Sequence, residues 1–314
     1  MDRASIPGES RVTLSCPVCG ATSYRGFRFG LSVCTKCNLV VDPEAIAASE
    51  AQSLLQEDWF DVPDAAHSGW VRLFEAWNNR RTMARIRRHR PAPARVLECG
   101  IGSGSLLVAM REAGYEVHGC DLSPRVAEYV RGSFGIDVTT GDPSTIREGG
   151  FDVVVMNHVL EHSARPRDML ASVVRRTSPG AVFHLAVPNV ASWDAHLPGW
   201  TSYEPYHLIY FSPETLGAVA AQVGLHALEL TTFEPFSGWS LALLRTALRS
   251  RSRGSPGRSD GPRTFERSAA VQNAYRITTL AVGGALYPLR RTQAALGAGE
   301  EVILIARSCA AGAP

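Results

Sequence analysis

Two groups of residues in this chain have the types and spacing to do chemistry. The first is Glu98-Cys99-Gly100-Ile101-Gly102-Ser103-Gly104, which follows the apolar lead Arg95-Val96-Leu97. Glycine at every second position marks a sharp strand-to-helix turn, where unusual φ is needed and a ligand can touch bare backbone. A phosphate loop would close on Gly-Lys-Ser/Thr, and Gly104-Ser105-Leu106 has no lysine. The dinucleotide pattern Gly-x-Gly-x-x-Gly is also broken, because Ser105 stands at the place of the third glycine. Glu98, just ahead of the loop, would repel a pyrophosphate but could pair with an ammonium group. The strand expected over 115–120 ends in Asp121, where a carboxylate can accept hydrogen bonds from both hydroxyls of a ribose. A ligand-free tight turn is the alternative, and Asp121 at this separation argues against it.

The second group is a pair of Cys-x-x-Cys knuckles, Cys16-Pro17-Val18-Cys19 and Cys34-Thr35-Lys36-Cys37, separated by fourteen residues. Each knuckle presents two sulfurs to one metal, and a hairpin between them completes a tetrahedral four-cysteine site. Zinc fits this donor set best. Rubredoxin-like iron is the alternative, and two disulfides are disfavoured by the expected cytoplasmic setting. With all four positions filled by protein, the metal reads as structural. Such a site supplies on the order of 10–16 kcal/mol of apparent binding energy, enough to fold a segment too small to own a core. Cys99, Cys120 and Cys309 stand alone and read as packing residues.

The elements that must position these groups alternate. Strands are expected near 95–99, 115–120, 136–139, 151–156 and 181–187, and helices near 103–113, 124–133, 166–176 and 213–223. Further strands are expected at 225–233 and 301–308. This order implies an α/β parallel sheet covered on both faces. Ser123-Pro124 and Ser212-Pro213-Glu214 are helix-start signals. Ahead of the core come the ribbon over 12–43, a helix over 44–58 and a helix over 70–90. The second helix carries Val71, Phe74, Trp77, Met83 and Ile86 on one side. Its other side, with Arg72, Arg80, Arg81, Arg85, Arg87 and Arg88, is expected to be solvated, with contact to an acidic substrate or nucleic acid as the alternative. Two apolar stretches, 236–248 and 277–289, flank a Ser/Gly/Arg-rich segment at 249–263 that is expected to be disordered. They are too short to span a bilayer and are expected to cap the substrate pocket, with contact to a membrane surface as the alternative. Either arrangement suits a lipid-linked or otherwise greasy substrate. The domain plan is a ribbon at 1–45, a helical linker region at 46–92, a binding core at 93–232, a cap at 233–300 and a final strand and tail at 301–314.

Bulk properties exclude some classes. A formal charge of +2 over 314 residues gives no overall field for nucleic acid. Met1 to Pro7 shows no basic region leading into an apolar core, and no apolar run approaches the roughly 18 residues of a membrane span. The expected compartment is the cytoplasm, with membrane association as the alternative. Oligomeric state is not legible.

The run Val96 to Gly104 resembles motif I of class I S-adenosylmethionine-dependent methyltransferases. Phe151-Asp152-Val153-Val154-Val155-Met156-Asn157-His158-Val159-Leu160-Glu161-His162 resembles the fourth-strand motif of the small-molecule branch that includes ubiquinone-type O-methyltransferases. Pro188-Asn189 and the stretch from Pro205-Tyr206-His207 to Leu216 resemble the region after strand five in that branch. The resemblance covers roughly 70–232. It implies a Rossmann-like, doubly wound seven-stranded sheet with an antiparallel last strand, here with the zinc ribbon added at the N-terminus. It implies S-adenosylmethionine as cofactor, with Glu98, Gly100, Gly102 and Gly104 at the methionine part, Asp121 at the ribose, Asp142 at the adenine amino group and Asn157 beside the cofactor. Glu98 departs from the commoner Asp, keeping the chemistry with a longer reach. The family's Glu-His pair, matched by Glu161 and His162, can bind a divalent cation in the ubiquinone-type enzymes. Asn157 stands where those enzymes carry an extra glutamate, which argues against that metal here.

Methyl transfer is an in-line displacement, so positioning can supply roughly 7–11 kcal/mol, and a base adds about 100- to 10,000-fold for a hydroxyl acceptor. His158 is the first choice of base and His207 the second, with His162 divided between a structural hydrogen bond and catalysis. The leading function is transfer to oxygen, carbon or nitrogen of a small molecule such as a glycan, quinone, lipid-linked compound or secondary metabolite. A macromolecular methyltransferase acting on RNA or protein is second, motivated by the ribbon and the arginine-rich helix. A non-catalytic binding module is third. Met156-Asn157-His158-Val159 lacks the Asn/Asp-Pro-Pro-aromatic signature of nucleobase amino methylation.

Overall fold

The computed structural model describes residues 14–51, 69–204, 206–235, 238–251 and 281–309. The second half of the helix expected over 44–58, most of the 249–263 segment and the start of the 277–289 stretch lie outside the described residues. In chain order the elements are β1 (Tyr24–Gly26), β2 (Ser32–Cys34), β3 (Val40–Val41), α1 (Pro43–Ala51), α2 (Gly69–His89), β4 (Arg95–Cys99), α3 (Ser105–Glu112), β5 (Glu116–Asp121), α4 (Pro124–Phe134), β6 (Val138–Thr140) and β7 (Phe151–Asn157). There follow α5 (Pro166–Val174), β8 (Thr177–Pro188), β9 (Ile209–Tyr210), α6 (Pro213–Gln222), β10 (Leu225–Phe233), α7 (Gly238–Arg251), α8 (Tyr287–Ala295) and β11 (Glu301–Ser308).

Seven strands form one sheet in the order β10-β11-β8-β7-β4-β5-β6. The five from β8 to β6 are parallel. β7 has a fully buried centre, Val153 to Met156, as expected of a parallel strand covered on both sides. One face packs Val96, Val153 and Val155 against Met83 and Ile86 of α2 and Met110 of α3. The other packs Leu97, Val154 and Met156 in one cluster with Leu170 of α5 and Leu216 and Val219 of α6. Helix starts follow the sequence signals. Ser123 Oγ accepts from the Val126 N–H at the head of α4, and Ser212 and Thr215 form a reciprocal capping box at the head of α6.

β11 runs antiparallel to both β8 and β10, with Glu301 opposite Pro188. That direction carries Glu301 to the rim where the parallel strands end, beside the residues that follow β7.

The ribbon strands form a second sheet in the order β1-β2-β3-β9. Its last member comes from the Tyr206–Phe211 stretch, through the pairs Val40↔Tyr210 and Val41↔Ile209. Val18, Leu39 and Val41 share a buried cluster with Phe183 and Leu185 of β8. The ribbon is therefore built into the wall of the core.

Two expectations are corrected. Only Arg72, Arg80, Arg87 and Arg88 of α2 face solvent, while Arg81 and Arg85 turn inward with Asn78. At 100° per residue, positions 78, 81, 82 and 85 share one face, and that face meets the ends of β10 and β11. α7 continues through Arg251, so residues 249–251 of the segment expected to be disordered are helical.

Candidate active site

Chain leaving β4 turns through Gly100, Gly102 and Gly104, all left-handed, with φ of 73°, 49° and 73°. Their reasons for being glycine differ. A Cβ on Gly100 would meet Val159 Cγ2 at 2.7 Å and one on Gly104 would meet Val130 Cγ2 at 2.8 Å, whereas Gly102 has nothing within 4 Å. The outer two are required by packing, and the middle one leaves bare backbone facing open space.

Asp121 is held rigidly at the end of β5. Its Oδ2 accepts from the Ile101 N–H at 3.0 Å and its Oδ1 from the Ser123 N–H at 2.9 Å, leaving a further lone pair on each oxygen. Burial raises its pKa, and the amides of Ser123, Ile101 and Gly102 work against that rise. Glu98 is 4% exposed and its Oε2 has no hydrogen-bond partner. Burial first, and the Asp121 charge second, push its pKa well above the usual carboxylate range. A buried carboxyl with a bare oxygen is a site that an incoming cation would satisfy. Asp142 caps the 3-10 turn Pro143–Thr145, with Oδ1 accepting from the Ser144 N–H at 2.8 Å. Because β7, β4, β5 and β6 are neighbours in that order, Asn157, Glu98, Asp121 and Asp142 form one row along the strand ends. Asn157 Oδ1 in that row is also buried without a partner.

The three histidines gather around Glu161. His158 has a left-handed backbone, φ 55°, a conformation that costs a non-glycine residue on the order of 1–3 kcal/mol. The turn sets its ring between two carboxylates, with Nδ1 3.2 Å from Glu161 Oε1 and Nε2 2.9 Å from Glu301 Oε1. Desolvation works against the charged ring, but Glu161 and Glu301 outweigh it and raise the pKa well above that of an ordinary imidazole. His162 Nδ1–H donates to the Tyr206 carbonyl at 3.1 Å, and His207 Nδ1–H donates to the Ser202 carbonyl at 2.7 Å. Carbonyls only accept, so Nδ1 carries the proton in both bonds and each Nε2 is turned away from them. Burial pushes His207 down to about 4 despite the nearby Glu161 charge. Glu161 itself is 1% exposed; burial would raise its pKa, but the surrounding imidazoles, led by His158, hold it below the usual value. Donor atoms of Glu161, His162 and His207 lie within 4.8 Å of one another.

Beside this cluster, a pocket of about 230 Å³ opens between α2 and the ends of β7, β8, β10 and β11. Asn157, His158 and Glu301 line it together with Phe233, Arg81 and His184. The Arg81 guanidinium lies 3.4 Å over the Phe233 ring and 4.7 Å over Trp77. His184 is buried on β8, and burial pushes it down to about 4, so it is neutral above that pH. A larger, more open cleft of about 510 Å³ lies at the other end of the parallel strands, around Pro93, Arg95, Tyr115 and Glu116. Its charges are paired there, Arg95 with Glu116 and Arg90 with Asp152, and nothing converges on it.

The sulfurs of Cys16, Cys19, Cys34 and Cys37 also lie within 4.8 Å of one another. Cys16 and Cys37 are 3.5 Å apart and Cys19 and Cys34 are 3.6 Å apart, and none is in a disulfide.

A family profile described as a methyltransferase domain matches residues 70–230, more than half of the chain. This chain belongs to that methyltransferase family. The ubiquinone biosynthesis O-methyltransferase of Thiobacillus denitrificans is 30% identical over 168 residues, covering 46% of this chain and 71% of that protein. Its counterpart from Idiomarina loihiensis is 26% identical over 223 residues, covering 64% and 88%. A ribosomal protein L11 methyltransferase of Syntrophotalea carbinolica is 35% identical over 103 residues, but this chain spans only 33% of its length. Among solved structures, one described as a sarcosine dimethylglycine methyltransferase from Galdieria sulphuraria matches with a TM-score of 0.50 and 14% identity. It covers 85% of this chain and 98% of that one, and at such identity it shows the fold alone.

The chain is thus an S-adenosylmethionine-dependent methyltransferase of Rossmann-like fold, whose four-cysteine cluster fits a zinc ribbon. Glu301, Arg81 and His184 of the methyltransferase were not found by sequence reasoning. Glu301 carried a visible signal, since Glu300-Glu301 opens the otherwise apolar Val302 to Ala306 run. Arg81 carried only the ambiguous signal of the arginine run on its helix, and His184 carried none because it sits in no local motif.

Proposed function

We propose that this methyltransferase moves the methyl group of S-adenosylmethionine to a small-molecule acceptor lying beside Asn157 and His158. The observation that carries the reading is the pairing of Glu98's bare, buried oxygen with the open space at Gly102. Glu98 would take the ammonium of the cofactor, the Gly100–Gly104 backbone its methionine part, Asp121 its ribose and Asp142 its adenine amino group. When bound, the cofactor supplies an electrophilic methyl on a cationic sulfur. The protein's first contribution is to hold the acceptor in line with that methyl.

For the proton of a hydroxyl acceptor, the geometry supports His207 over His158. A ring clamped between two carboxylates is already charged and has no lone pair to offer. His207 is neutral, is oriented by the Ser202 carbonyl and presents Nε2. Ionised Glu161 beside it would stabilise the imidazolium formed. The same donor set, one carboxylate and two Nε2 acceptors, also fits a divalent cation. Glu161, His162 and His207 would hold it, and it would supply Lewis acidity toward the acceptor oxygen. Zinc is the metal we assign to the ribbon, because a tetrahedral site with bonds near 2.3 Å spaces its sulfurs ~3.8 Å apart, close to the spacing seen.

The ubiquinone-pathway relatives favour oxygen as the methylated atom. The macromolecular reading weakens because two of its arginines, Arg81 and Arg85, line the pocket. Among the described residues no helix is long and apolar enough to cross a membrane. The test is transfer of a labelled methyl into fractionated cell extract. Label in the small-molecule fraction is expected, and label confined to protein or RNA would refute the reading.

A further inference from the structure

Away from the methyl-transfer site, three carboxylates from distant parts of the chain meet in the interior. Asp194 lies beyond β8, Glu234 directly follows β10 and Glu300 precedes β11, and they are 0%, 5% and 6% exposed. One oxygen of each is engaged. Gln293 Nε2 donates to Asp194 Oδ1 at 3.4 Å and to Glu234 Oε2 at 3.0 Å. The Glu300 N–H also donates to Glu234 Oε2, and the Thr201 hydroxyl donates to Glu300 Oε1.

The other three oxygens converge. Asp194 Oδ2, Glu234 Oε1 and Glu300 Oε2 are the three atoms that a Cβ on Gly238 would strike, with Glu234 Oε1 at 2.7 Å and Asp194 Oδ2 at 3.4 Å. Two of them, Asp194 Oδ2 and Glu234 Oε1, are buried with no hydrogen-bond partner. Among the described residues the cation at ion-pair distance is Arg290, whose Nε is 4.0 Å from Glu234 Oε1, too far for a hydrogen bond. With all three carboxyls ionised, the one guanidinium would leave two negative charges uncompensated, and two bare oxygens face the same space.

We propose that Asp194, Glu234 and Glu300 form a binding site for a hard divalent cation of the calcium class. An all-oxygen, carboxylate-rich cage selects such ions over zinc or copper, and magnesium is disfavoured because it keeps its waters in open sites. The ion would fasten the segment after β8, the start of α7 and the β10–β11 edge together. Pro235 and Glu301, next in sequence to two of the ligands, line the substrate pocket, so its occupancy would stiffen that wall. The rival is protonation, since burial and mutual repulsion push Glu234 up to about 9 and Glu300 up to about 7.

The test is thermal melting of the zinc-loaded full chain, dialysed free of calcium, while CaCl2 is added. The wild type should rise by roughly 5 °C at saturation, and the E234Q/E300Q double variant should not respond. Terbium offers a readout independent of stability. Trp239 donates its indole N–H to Gln293 Oε1 at 2.7 Å and stands beside the cluster as an energy donor. Terbium luminescence excited through tryptophan should appear with wild type and be displaced by calcium. No shift and no luminescence in wild type, or equal responses from the double variant, would overturn the site in favour of shared protons.

Discussion

The two halves of the proposed methyl-transfer site are built in opposite ways. On the β4–β5 side the cradle is made of backbone, with glycine φ angles, amides fixing Asp121 and one bare carboxyl, all within residues 98–123. On the β7–β8 side the site is made of charged and imidazole side chains drawn from residues 81, 157–162, 184, 207 and 301. A backbone cradle suits a ligand that never changes, and a side-chain wall can be rebuilt for a different acceptor without disturbing it. The contrast explains why the methyl donor is readable from a short motif and the acceptor is not.

Several substitutions separate the halves. Gly100→Ala forces a left-handed alanine and a 2.7 Å approach to Val159, together about 2–5 kcal/mol of stability. Denaturant unfolding should show that loss, and a near-neutral result would mean the loop relaxes freely. On the side-chain half, acid sensitivity should come in part from His184. Its folded pKa of about 4 lies below the ordinary 6.5, so the stability it contributes is present above pH 6.5 and is lost as pH falls through 4. The full loss is on the order of 3 kcal/mol. His184→Leu should flatten unfolding free energy against pH between 6.5 and 4, and parallel curves for the two proteins would exclude the buried neutral ring as a cause.

His207→Gln should lower kcat by about 100-fold while leaving affinity for S-adenosylhomocysteine within a factor of two or so. Equal losses in turnover and cofactor affinity would place His207 on the cradle side. Smallest in stability is Gly102→Ala, about 1 kcal/mol for the positive φ, because its Cβ meets no protein atom. Its effect belongs to the ligand, with cofactor affinity falling tenfold or more. Were its affinity unchanged, the open space at Gly102 would not be where the ligand lies.

The same contrast governs what could be read from the sequence. The β4 turn, Asp121 and the two knuckles are contiguous or regularly spaced, so their chemistry survives as pattern. The strands at 95–99, 225–233 and 301–308 were legible for the same reason, since apolar runs bounded by turns dictate them. The clamp on His158 was not, because Glu301 reaches it only after β11 reverses direction against β8. Nor was the joining of the ribbon to the core, which rests on a two-residue strand, Ile209–Tyr210, too short to show a period. The inward turn of Arg81 and Arg85 was hidden because a run of arginines on a helix ordinarily means solvent, and only the position of β10 and β11 decides otherwise.

Calorimetric titration of S-adenosylhomocysteine into the zinc-loaded chain, beside the Glu98→Ala variant, tests the cradle most directly. One site per chain in the wild type and at least tenfold weaker binding in the variant is the expected result. A folded wild-type chain that takes up none of this ligand, or a Glu98→Ala variant that binds it equally well, would contradict the assignment of the glycine turn to the methyl donor.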